Sequence, residues 1–136
     1  MAFSDPGIGR NILDAGRGTE PQEVTLAEAC QVGDVLGYSS GWKRALATTG
    51  SVIQGRLIAL RKGASGERVP VSANPVVGGY SGATPGGYVY AAEGTDNGKI
   101  TQTAPSTSGD ANTIIGIALT ATEVMFFLNS RADSTA

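Results

Sequence analysis

Histidine is missing from all 136 residues, and Cys30 is the single cysteine. The first absence removes the commonest general base near neutral pH and the commonest metal ligand. The second excludes an intrachain disulfide and a cysteine-rich metal site. Without a recognisable base partner, Cys30 reads as a small buried hydrophobe rather than a nucleophile. No apolar run approaches the roughly 18 residues of a membrane span, and MAFSDPGIG lacks a signal-like apolar core. An unexported chain, made in the cytoplasm and without a membrane partner, is the expectation. Ten basic residues stand against twelve acidic ones, a net charge of -2. That balance argues against direct contact with nucleic acid.

Catalytic patterns are equally scarce. Most carboxylates sit singly in turns, the ordinary place for solvated Asp and Glu. Glu93 and Asp96 flank one hairpin loop, but two carboxylates without a loop of alternating oxygen ligands make a poor calcium site. The glycine-rich stretch SANPVVGGYSGATPGG, residues 72–87, lacks the Gly-Lys-Ser/Thr of a phosphate loop. No serine sits in a nucleophile elbow. No enzyme activity, cofactor or metal is expected.

What the chain has is glycine, 20 residues, about twice the usual share of roughly 7%. Interior glycine costs a helix about 1 kcal/mol, whereas turn-rich β proteins use it freely. The prediction is an all-β fold: a small barrel or sandwich-like domain of short antiparallel strands with an extended N-terminal arm. Residues 1–23 form that arm, with Ile8, Ile12 and Leu13 as its apolar anchors. The β domain covers 24–128, and 129–136 is a polar C-terminal tail.

Within the domain, Val24 to Gln31 reads as extended. Val35–Tyr38 and Trp42–Ala45 form a hairpin across Ser39-Ser40-Gly41. Ser51–Leu60 is a long strand interrupted at Gly55, and Arg68–Val71 is a strand whose Pro70 belongs at an edge or bulge. Residues 72–87 form a loop-like bridge anchored by Val76, Val77 and Tyr80, free to reach a partner. Tyr88–Tyr90 and Lys99–Thr103 pair across Asn97-Gly98, the strongest hairpin signal in the chain. Thr113–Leu119 and Glu123–Leu128 complete the set. Phe126 and Phe127 face opposite sides of the last strand, one for the core and one for an interface. Trp42 is a core or edge anchor.

The halves echo each other. GDVLGY, SSGWKRA and VIQGRLIAL are followed, in the same order, by GGYVYAA, DNGKITQT and IIGIALT. Residues 32–60 and 86–119 are thus candidates for an internal repeat of two hairpin-plus-strand units.

These pieces resemble the small β-rich capsid decoration (cement, or head-stabilising) proteins of tailed bacteriophages. The likeness rests on Gly87 to Tyr90, Gly98 to Thr101 and Ile115 to Ala118, and spans about residues 30–128. It implies a homotrimer on the outer surface of the virion, made in the host cytoplasm. The partner it implies is the major capsid protein, held against internal pressure. It puts part of the trimer contact at the strand edge near Val124–Leu128. Candidate interface residues are Ile8, Ile12, Leu13, Trp42, Tyr80, Phe126 and Phe127. The alternatives are a tail, neck or fibre-associated virion protein, or a small-barrel binding module.

Overall fold

The computed structural model describes residues 2–16 and 22–136. Among these described residues eleven strands form two antiparallel sheets. The first sheet holds β2 (Gln22–Thr25), β3 (Val35–Tyr38), β4 (Trp42–Arg44), β5 (Leu57–Ala59) and β6 (Arg68–Ser72), in the order β2-β6-β5-β3-β4. The second holds β1 (Asn11–Asp14), β7 (Val76–Gly78), β8 (Tyr88–Ala91), β9 (Ile100–Thr101), β10 (Gly116–Ala118) and β11 (Glu123–Phe126). Its order is β1-β7-β11-β10-β8-β9. With β1 set aside, the two sheets have the same topology: β7 to β11 repeat, strand for strand, the arrangement of β2 to β6. The echoed segments supply β3, β4 and β5 of the first copy and β8, β9 and β10 of the second, and the other two strands of each copy come from sequence that carries no visible likeness.

Alternation sorts the side chains of each strand. Val35 and Ile58 of the first sheet join Val77, Val89, Val124 and Phe126 of the second in one buried cluster. The sheets therefore share a core. They are also joined backbone to backbone: Val35 N donates to Gly98 O, Gly98 N to Ala45 O, and Ala47 N to Ala92 O. The Asn97-Gly98 turn thus fixes its own hairpin and the seam between the repeats.

Several expectations need correction. Residues 2–16 are not an arm held apart from the domain. Ser4 bridges Ser81, and β1 pairs with β7. The boundary expected at 23/24 falls inside β2, and the rest of the arm, Met1 and residues 17–21, lies outside the described residues. The bridge 72–87 is not a free loop, since it supplies β7 and the buried Tyr80. The tail also folds back: Asn112 N donates to Ser134 O and Ala136 N to Asp110 O. Only Leu57–Ala59 of the long strand 51–60 pairs as a strand. At Gly55 any Cβ would meet Val35 Cγ1 at 2.6 Å, so the backbone there serves close packing. Pro70 sits in an inner strand rather than at an edge or bulge. Its carbonyl accepts from Leu60 N, just past the end of β5. N–H and C=O of one residue point the same way in an antiparallel strand, so the missing donor falls where the partner strand has stopped.

Candidate interaction surface

The N-terminal segment is anchored by charge. The Arg10 side chain is buried and pairs with Asp5 at 3.3 Å and with Asp34. Its guanidinium also donates to Gly7 O at 2.7 Å and Gly98 O at 3.5 Å. Asp5 accepts from Ile100 N, and Asp34 from Gln31 N. Gly7 and Gly9 have φ of 72° and 95°, the left-handed region that lets the chain curl around this group. Burial pulls the Arg10 pKa down, and Asp5 and Asp34 more than offset it, so the net shift is upward. The cluster ties the first repeat (Asp34) to the second (Gly98, Ile100), which makes it architecture rather than a reactive site.

The remaining titratable groups lead to no reaction centre. Burial pushes the Cys30 thiol up to about 11, leaving it protonated and inert at neutral pH. Asp96 of the hairpin loop is spent on an ion pair with Lys99 at 3.5 Å. Among the described residues no three His, Cys, Asp or Glu side chains gather as metal ligands.

The expected interface residues divide. Tyr80 and Phe126 are buried in the domain's own core, so neither offers a surface. Burial also raises the Tyr80 hydroxyl pKa far above the ordinary phenol value. Ile12 is half-buried against the same core. Ile8 is 72% exposed and Leu13 47%. Trp42 is half-buried on the outer side of the first sheet, edge-on to Tyr38 with ring centroids 5.5 Å apart. Phe127 is half-buried beside Asn74, on the side opposite Phe126. The edge expected near Val124–Leu128 is not free, because β11 pairs with β7 on one side and β10 on the other.

A surface emerges instead on the outer face of the second sheet. Register places Val76 beside Met125, Met125 beside Ile117, and Ile117 beside Tyr88. This row crosses four strands, and each member is half-buried or exposed. Gly116 keeps the strands close: a Cβ there would meet Met125 O at 2.5 Å. Leu119 and Leu13 add apolar area at the margins. Asp14 pairs with Val76 and closes one end, while Arg131 lies 5.6 Å over the Tyr88 ring at the other. None of the four row residues was among the seven candidate interface residues, though Met125 lies in the segment Val124–Leu128 where the resemblance puts part of a trimer contact. The available signal was Val124-Met125-Phe126-Phe127, a run apolar on both faces of its strand, which implies that both faces are covered.

Comparison with protein-family models, with curated proteins and with solved structures finds no match.

Proposed function

We propose that this chain is a capsid decoration protein of a tailed bacteriophage. It binds the outside of the head as a homotrimer and adds contacts between neighbouring major capsid protein subunits. The observation that carries the reading is an apolar row, half-buried or exposed, on a doubled β module that gathers no metal-binding cluster among its described residues. Added support comes from where the resembling motifs fall. Gly87–Tyr90, Gly98–Thr101 and Ile115–Ala118 lie on or beside β8, β9 and β10, three neighbours in one sheet. In this reading the two sheets close as a barrel- or sandwich-like body over their shared core. Many copies, each making a modest contact, give a durable shell through multivalency.

The test is co-sedimentation with expanded empty shells assembled from a tailed-phage major capsid protein. Saturable loading at a fixed ratio, with shells made more resistant to heat, is the expected result. A folded protein that leaves the shells unloaded overturns the proposal.

A further inference from the structure

We infer that Asn97-Gly98 is a spontaneous deamidation site which the seam between the repeats keeps closed, and that reaction there bars the chain from refolding. The inference takes nothing from the decoration reading.

The chemistry belongs to the dipeptide. The backbone nitrogen that follows an asparagine attacks the side-chain amide carbon. A C–N bond forms, the side-chain nitrogen leaves as ammonia with the proton given up by the attacking nitrogen, and a cyclic imide remains. Water then opens the imide at either carbonyl. One product is aspartate. The other is isoaspartate, whose main chain runs through the side-chain methylene and is longer by that carbon. Glycine has no Cβ and leaves the attacking nitrogen unshielded. Asn97-Gly98 is the only Asn-Gly pair in the sequence.

The native fold withholds the nucleophile. Gly98 is buried, and its nitrogen donates to Ala45 O at 2.8 Å, so it is not free to give up its proton to the attack. Lys99 N donates to Asp96 O at 3.0 Å, which sets Asn97 and Gly98 at the centre of a turn with Gly98 held at φ of 80°. Side chains of the first repeat fill the space that glycine leaves: a Cβ on Gly98 would meet Asp34 Cγ at 2.8 Å and Arg44 Cγ at 3.2 Å. The fold has no room for the lengthened product either. Gly98 O accepts from Val35 N at 2.9 Å while Gly98 N serves Ala45, so an extra backbone carbon just before Gly98 displaces both bonds of the seam. Val35 and Ala45 precede Asn97 in the chain, so the guard is at hand as soon as the site is made.

The experiment holds the full chain in mildly alkaline buffer, native or in urea, and follows Asn97 by peptide mass mapping. Conversion in the native chain should be at least about tenfold slower than in urea. At urea concentrations below unfolding it should track hydrogen exchange at the Gly98 amide, since both need the bond to Ala45 open. After urea is removed, the isoaspartate form should stay unfolded by circular dichroism. Asn97→Asp, which carries the charge without the extra backbone carbon, should fold. Equal rates in the native and unfolded chain overturn the inference, and so does conversion that ignores Gly98 exchange. An isoaspartate form that regains wild-type stability, or an Asn97→Asp chain that also fails to fold, overturns the bar to refolding by a lengthened backbone.

Discussion

The two sheets share one topology and differ in how they finish. The first is covered on both faces: Val35 and Ile58 look into the common core, Leu36 and Ala59 into a second cluster under Leu26 and Cys30. Among the described residues the second is covered fully on one. Its inner side chains, Val77, Val89, Val124 and Phe126, are as deeply buried as any in the molecule, yet their outward neighbours are not. The difference lies outside the strands. After β2 the chain crosses back over the first sheet, with Cys30 paired to Gly63 and Leu26 N bonded to Glu67 O. After β7 it turns away, burying Tyr80 in the shared core and bonding Ser81 to Ser4. One module therefore buries its apolar outer surface under its own chain, and among the described residues its copy leaves the matching row half-buried or exposed.

The strongest way to break this comparison is to cut what joins the two halves. Arg10→Met leaves Asp5 and Asp34 buried without their counter-charge. A loss of about 3–5 kcal/mol is expected by urea unfolding, with both sheets melting together. Separate transitions for the two sheets would show that the repeats do not depend on this anchor. Next comes a matched pair of truncations on equivalent faces. Leu26→Ala opens the covered cluster and should cost about 2–4 kcal/mol. Ile117→Ala, measured at a dilution where the protein is monomeric, should cost less than about 1 kcal/mol, because its side chain is already part-solvated. Equal costs would erase the distinction between the faces.

The smallest effect concerns pH. Arg56 holds Asp133 through two bonds of 2.5 and 2.6 Å, and this hydrogen bonding lowers the Asp133 pKa below its ordinary 3.8. A depressed carboxylate stabilises the fold above its unfolded pKa, and that contribution fades as pH falls through the folded value. Both side chains are well exposed, so the gain is small. Hydrogen exchange at Asn112 and Ser134 should speed up below about pH 4, relative to the rest of the fold, and Asp133→Asn should show the faster exchange already at neutral pH.

Strands with their own turn chemistry were legible from residue order. Ser40 and Gly41 carry φ of 55° and 129°, and Gly98 carries 80°, so the two hairpins announced themselves. The all-β, antiparallel character followed, as did the paired order of the echoed segments. β1 and β7 were not legible. Each is three or four residues long, β1 is a strand because β7 lies beside it and β7 because it lies between β1 and β11, so no local signal marks either. The docking of residues 2–16 depends on Arg10 finding partners 24 and 88 positions away, which no window of sequence reveals. The apolar row was hidden for a similar reason. It takes one residue from each of four strands, and only their register assembles it.

The same long reach sets an order for folding. Asp5 must wait for Ile100, 95 residues later, before its carboxylate accepts the bond that holds the N-terminal segment in place. During synthesis the first sheet can pair while the opening residues still stand clear of the body. They settle only when β8 and β9 have emerged and the Gly98 carbonyl is in position. Residues 2–16, made before either sheet, are therefore among the last to be secured, and closing that large loop is the natural slow step on the way to the native state.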